Sequence, residues 1–177
     1  MLVKTYGSTL VGIDAITVTV EVNTGQGSRF FLVGLPDNAV KESQQRIIAA
    51  LKNSGFLCPG FRITVNMAPA DLKKEGSAYD LTIAMGILAA SDQIGAEGIS
   101  DYIMMGELSL DGSLQPMKGA LPIAIEARQK GFKGFILPEE NAREAAIVSD
   151  LDVYGMKSIS EVIEFFKDPN TPTPIEL

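Results

Sequence analysis

The spacing of apolar residues changes rhythm several times along this chain, and each change marks an element. Residues 2–22 read as extended, with Ile16, Val18, Val20 and Val22 alternating against threonines and a glutamate as in a half-buried strand. The polar run 23–28 predicts a turn, and residues 29–33 a strand that returns beside the first as a hairpin. From Asp37 the period becomes helical. Val40, Ile47, Ile48 and Leu51 share one face, and Lys41, Glu42, Gln45 and Arg46 are left in water. Asp37 stands where an N-cap belongs, and Gly55 where a left-handed C-terminal cap belongs.

The stretch 65–91 organises the rest. An alternating strand over 62–67 runs into a polar loop, and the loop opens on Asp80 to Ala90, where almost every residue is apolar and Thr82 is the one interior polar side chain. A helix with no polar face is enclosed on all sides, and this one is too short to cross a bilayer. Asp80 reads as its N-cap. Further on, Tyr102 to Leu110 predicts a strand with Gly106 as a bulge or close approach. Asp111-Gly112 predicts a two-residue hairpin, and Gly119 and Pro122 bracket the start of a helix that runs to Lys130. Residues 132–137 and 151–154 read as strands, 139–147 as a short helix, and Ser158 to Glu161 as a capping box opening a last helix. Hairpins mixed with single helices favour α+β. The proline-rich run 168–177 reads as a linker leaving a domain that occupies residues 1–167.

Composition narrows the function classes. The 177 residues are 46% apolar and 21% charged, enough for a full core, with a formal net charge of −7. A free-standing nucleic-acid binder needs a basic stripe, whereas here the basic residues are scattered and Lys73-Lys74 is the only adjacent pair. There is no histidine and one cysteine, Cys58, which leaves no His-based triad, no intrachain disulfide and no metal site to expect. Cys58 reads as a partly buried, inert thiol. The amino terminus lacks a signal-peptide core and nothing spans a membrane, so the expected location is cytoplasmic.

Few motifs carry chemistry. Gly25 and Gly27 lack the third glycine of a dinucleotide fingerprint, and the string Tyr154 to Ser158 lacks the upstream glycine of a phosphate loop. Glu139-Glu140 suits the positive end of a helix better than acid–base work. What remains is Ser77 at the mouth of the buried helix and Lys118 just before another helix, the two groups a Ser–Lys dyad would need.

Three runs resemble a known family. They are residues 34–43 (GLPDNAVKES), residues 63–76 with Tyr79-Asp80-Leu81, and residues 106–112 with Pro116. They are similar to the N-terminal domain of the magnesium-chelatase-like ComM/YifB proteins, and the resemblance covers almost the whole chain. It implies a ribosomal protein S5 domain 2-like fold akin to the Lon protease domain, placed ahead of an AAA+ ATPase module that these residues do not include. It also implies a bacterial ring-forming ATPase linked to DNA processing in transformation, with branch migration as its activity. ATP and Mg2+ would serve that module, and no cofactor is expected in this chain. DNA would be met through the full-length protein only, and a direct hold on single-stranded DNA has little support from an acidic chain without tryptophan.

The Lon resemblance also tests catalysis. Laying the Lon nucleophile run on Glu75 to Asp80 puts Ala78 at the serine position, and laying the run before its lysine on Pro116 to Ala120 puts Leu121 at the lysine position. Ser77 is one residue out of frame and Lys118 three. The expectation is a non-catalytic domain that organises the ring or docks a partner through Asp71, Lys73, Lys74, Glu75 and Lys118, each otherwise a solvated charge. Neighbouring subunits and the chain's own ATPase module are the expected partners. The alternative is a residual peptidase using Ser77 and Lys118.

Overall fold

The computed structural model describes residues 1–74, 76–168 and 173–177. The expected hairpin exists in a different place. β1 (Leu2–Val11) and β2 (Asp14–Gly25) pair antiparallel across Gly12-Ile13, breaking the single extended stretch, and Gly12 turns the chain at φ +65. β3 (Phe30–Val33) does not return beside β2. It pairs parallel with β4 (Arg62–Ala68), which itself lies antiparallel to β2. Alternation fixes which face of a strand is buried but leaves its neighbour open, and β4 offers β2 the longer apolar match.

Most remaining elements follow the sequence reading. The strand expected over 102–110, however, ends at Met104 and resumes only at Glu107–Leu108. The turn at Asp111-Gly112 is wider than the two residues expected, because Leu108 pairs with Leu114 and the Ser109 N–H donates to the Ser113 carbonyl. α1 (Asp37–Asn53) precedes β4, and a 3-10 turn (Gly76–Tyr79) leads into α2 (Asp80–Ala90). β5 (Tyr102–Met104) is followed by the small antiparallel pair β6 (Glu107–Leu108) and β7 (Leu114–Gln115), then α3 (Ala120–Gln129). β8 (Gly134–Pro138), α4 (Glu139–Ala145), β9 (Asp152–Met156) and α5 (Ile159–Lys167) complete the fold. The main sheet runs β3-β4-β2-β1-β5-β8-β9. Its first half is largely antiparallel, and β1, β5, β8 and β9 run parallel. The mixed sheet is compatible with the α+β expectation. The parallel run of its second half was hidden because the β6–β7 hairpin interrupts the alternation of strand and helix.

Every residue of α2 is buried, as an all-apolar helix requires. It packs on the odd-numbered face of β1: Thr5 Oγ1 donates to the Thr82 carbonyl at 2.9 Å, and Thr82 Oγ1 donates to the carbonyl of Met104. At Gly86 an added Cβ would lie 2.6 Å from Val22 Cγ2, so glycine sets how closely helix and sheet approach. α3 lies across part of the opposite face, with Gly119 against Leu10. Two expected caps are absent. Pro36, not Asp37, occupies the N-cap of α1, and no side chain caps it. Asp80 is the first residue of α2 and does not cap it, because the Leu81 N–H goes to the Gly106 carbonyl at 3.0 Å. The Ser158 cap forms, with Glu161 N–H donating to Ser158 Oγ at 3.3 Å, but the box is not closed as expected, because the Glu161 carboxylate accepts from the Lys157 N–H at 3.0 Å and not from Ser158.

Both outer edges of the sheet are dressed. At β3, Gln44 Nε2 donates to the Phe30 carbonyl at 3.2 Å, and Arg29 and Arg62 flank the ring of Phe31 at 5.5 and 5.1 Å. At β9, the Ile175 N–H donates to the Val153 carbonyl at 2.8 Å.

Candidate functional site

A cleft of about 390 Å³ opens where the loop before α2, the end of β1 and the strap before α3 converge. Each wall is fixed by polar side chains whose partners lie far away in the chain. Tyr79 Oη donates to the Ser8 carbonyl at 3.0 Å, tying the 3-10 turn to β1, and Thr9 Oγ1 donates to the Lys73 carbonyl at 3.0 Å. Asn141 of α4 holds the strap at both backbone groups of Met117, accepting from its N–H at 2.9 Å and donating to its carbonyl at 2.8 Å. These contacts place Ser77 and Lys118 in the same cleft, with Lys73 and Glu107 on its lining.

The two candidate dyad members meet in the cleft but are not engaged. Among the described residues no hydrogen bond joins the Ser77 hydroxyl to the Lys118 amine, and Lys118 is exposed. Ala78 lines the cleft beside Ser77, whereas Leu121 packs against the core. Asp71 and Lys73 are exposed on the loop, and Glu75 lies outside the described residues.

Lys74, expected to meet a partner or else to be a solvated charge, is neither exposed nor solvated. It is only 4% exposed, and its ammonium donates to the carbonyls of Pro69 at 2.6 Å and Leu72 at 2.9 Å. Burial lowers its pKa, opposed by the nearby Asp71. Lys74 therefore closes its own loop and presents no charge to a partner.

Behind the cleft sits a pair that sequence reasoning missed. Arg46, expected in water, reaches from α1 to Asp80, with Nε 2.6 Å from one carboxylate oxygen and Nη2 3.2 Å from the other. Asp80 is fully buried and also accepts the Leu108 N–H at 3.1 Å, while Arg46 Nη2 donates to the buried Ser43 hydroxyl. Burial pushes the Asp80 carboxyl up to about 6, with Arg46 pulling the other way, and the hydrogen bond to Asp80 raises Arg46. The pair joins α1, α2 and β6 at one point. A signal did exist: an acid opening a wholly apolar helix needs a cation, and Arg46 and Ser43 sit on one side of α1 three residues apart.

No cluster of three or more His, Cys, Asp or Glu side chains disposed to hold a metal occurs among the described residues. The segment Gly155 to Ser158 does not fit a phosphate: the Lys157 N–H donates to Glu161 at 3.0 Å, so a carboxylate already sits at the start of α5. No helix among the described residues is long and apolar enough to cross a membrane.

Comparison with known proteins places this arrangement. Competence protein ComM of Haemophilus influenzae is 45% identical over 161 residues, covering 90% of this chain and 31% of that protein. The protein YifB of Salmonella typhimurium is 43% identical over 158 residues, covering 89% and 31% respectively. A weaker similarity, 28% over 127 residues, links 70% of the chain to 22% of Lon protease 2 of Bacillus subtilis. The chain thus spans about a third of the length of the curated ComM and YifB relatives it matches. Residues 18–141 match the family described as subunit ChlI of Mg-chelatase, and with these relatives the match establishes that the chain belongs to the magnesium-chelatase-like family of the ComM and YifB proteins.

Proposed function

We propose that this chain is a non-catalytic, Lon-like contact domain of a magnesium-chelatase-like AAA+ ATPase, acting in ring organisation or in docking a partner. One observation carries the reading: the cleft gathers Ser77 and Lys118 without a hydrogen bond between them, and the positions aligned with a Lon nucleophile and lysine are the hydrocarbons Ala78 and Leu121. A serine activated by lysine needs the amine desolvated and within hydrogen-bond reach, and Lys118 is exposed. The mixed sheet and the similarity to a Lon protease support the finer assignment to the S5 domain 2-like fold. ATP and Mg2+ belong, in this reading, to a module outside these residues, and DNA is engaged by the full-length cytoplasmic protein rather than by this domain.

The experiment is deletion of residues 1–167 from the full-length ATPase, with ATP hydrolysis, DNA activity and ring assembly measured side by side. Loss of assembly or of coupling between the two activities supports the reading. Unchanged values for all three remove it.

A residual Ser–Lys peptidase is the second reading, favoured by the presence of both groups in one cleft. A fluorophosphonate that labels the wild-type chain but not Ser77→Ala would establish it over the contact role.

A further inference from the structure

Two arginines stand side by side at one border of the sheet. In the parallel pair β3–β4, Phe30 lies opposite Ile63 and Phe31 opposite Thr64, and the Ile63 N–H donates to the Arg29 carbonyl at 2.8 Å. The same register carried one residue back puts Arg29 opposite Arg62. Both side chains turn away from α2, because alternate residues of a strand share a face and the α2 side of β4 is taken by the buried Ile63, Val65 and Met67. Their guanidinium carbons lie 5.5 and 5.1 Å from the ring of Phe31, and both residues are exposed. Like charges directly opposite one another on neighbouring strands destabilise a sheet, so an acid between them would be expected. None is there: neither arginine forms an ion pair among the described residues. Glu21, the acid among the strand residues of this face, lies opposite Asn66, away from Arg62 along β4, and its carboxylate accepts from the Asn66 amide at 3.1 Å.

The ground beside the pair is open. On β2 the residue opposite Arg62 is Gly25, and a Cβ built there would meet nothing within 4 Å. Because β4 lies between β2 and β3 in the sheet, the chain crosses the start of β4 to reach β3, and an added Cβ at Gly27 would come 3.5 Å from Arg62 Cβ. Along this crossing the N–H groups of Gln26, Gly27 and Ser28 have no intramolecular hydrogen-bond partner among the described residues. Two guanidiniums and three backbone donors thus border one patch that offers no opposing charge, in a molecule of net charge −7.

We propose that this border binds a phosphate group carrying two negative charges, free or as a monoester, with a guanidinium from each strand on its oxygens and the N–H groups of residues 26–28 completing its shell. Arginine suits the role, since its planar fork meets phosphate oxygens in pairs and its charge does not titrate. A phosphomonoester is close to doubly charged and answers both arginines at once, whereas a carboxylate or a phosphodiester carries a single charge. Phe31, the ring at this border, already meets both guanidiniums, which leaves no aromatic platform for the successive bases of a nucleic-acid strand. The site shares no residue with the cleft and stands apart from the contact reading.

The test follows proton–nitrogen spectra of the chain titrated with inorganic phosphate and with methyl phosphate at about pH 7.5 and fixed ionic strength, against dimethyl phosphate and acetate. Saturable shifts are expected at the amides of residues 26–28 and at the Nε–H groups of Arg29 and Arg62. Inorganic phosphate or methyl phosphate should bind at least fivefold tighter than the diester or acetate. Saturation by either supports the proposal, and the tighter of the two tells the free ion from an ester as the source. Arg29→Gln combined with Arg62→Gln should weaken binding at least tenfold, whereas Arg128→Gln combined with Arg143→Gln, on α3 and α4, should leave it unchanged. Should the first variant fail to fold, Ser28→Glu, which sets a carboxylate on the crossing, replaces it and should weaken binding as much. Shifts that do not saturate, equal affinity for acetate or dimethyl phosphate, saturation centred on Lys73 and Lys118 in the cleft, or undiminished binding by the folded variant overturns the proposal.

Discussion

Replacing Arg46 by methionine should cost far more stability at pH 7.5 than at pH 5. The Asp80 carboxyl is fully buried and titrates near 6 in the folded chain, against an ordinary value of 3.8. Because the folded value is raised, the stability this group contributes is complete below 3.8 and is lost as pH climbs through about 6. Without Arg46, 2.6 Å away, only the Leu108 N–H and the Ser43 hydroxyl stabilise the charged form, so the carboxyl titrates higher still and the variant keeps losing stability where the wild type has stopped. Each pH unit above the wild-type value is worth about 1.4 kcal/mol, so the gap between the two proteins should widen by about 2 kcal/mol from pH 5 to pH 7.5. At pH 5 the substitution removes hydrogen bonds to a largely neutral acid, about 1 kcal/mol, and at pH 7.5 the total reaches about 3 kcal/mol, the lower end for a broken buried pair. Urea unfolding of both chains at the two pH values gives the difference directly. Glu107, 3.9 Å from Arg46 Nε, and Glu42 also face this guanidinium, so a parallel Glu107→Gln series isolates the part due to Asp80. Costs that agree within about 0.5 kcal/mol at the two pH values would refute the reasoning.

Three other outcomes follow from the packing. Gly86→Ala puts a methyl 2.6 Å from Val22 Cγ2, and overpacking of about 1–3 kcal/mol should outweigh the helix-propensity gain of about 1 kcal/mol. Adding Val22→Ala should recover part of the melting temperature, and failure to do so would locate the strain elsewhere. Cys58 is 1% exposed, and burial pushes its thiol up to about 11, so a thiol reagent at pH 8 should leave the native chain unmodified and react at once in denaturant. Asn141→Ala removes both bonds to Met117 and should cost about 1–3 kcal/mol while speeding amide exchange across residues 116–119; unchanged exchange there would show that the strap is held by other contacts.

Much of this architecture is legible without coordinates, and the parts that are not share a cause. α2 announces itself because eleven buried positions need apolar residues whatever surrounds them, and the Ser158 cap and the chain reversal around Asp111-Gly112 are local bonds with local residue requirements, although the loop is wider than the two residues expected. The turn at Gly12-Ile13 lacks the common Asn-Gly or Asp-Gly signal and passes unnoticed. Asp80 resembles a cap because its true partner lies 34 residues upstream, and Arg46 resembles a wet residue because its helix is amphipathic only on average. Lys74 is misread for the opposite reason. Its partners are close by, but they are carbonyls that any loop possesses. The meeting of Ser77 with Lys118 is hinted at by the family resemblance, whereas the clamp that brings it about, Asn141 on Met117, leaves no trace in the spacing of residues.

The dressing of the two outer strands bears on how this protein behaves in a crowded tube. A bare, flat border on a seven-stranded sheet is a template on which a second molecule can grow, and from there fibrils and precipitates begin. Here one border is four residues long with a glutamine across it and arginines beside its aromatic ring, and the other carries the amide of Ile175. Trimming the chain before residue 173 would uncover β9, and light scattering at high protein concentration should record the change before any probe of the fold does.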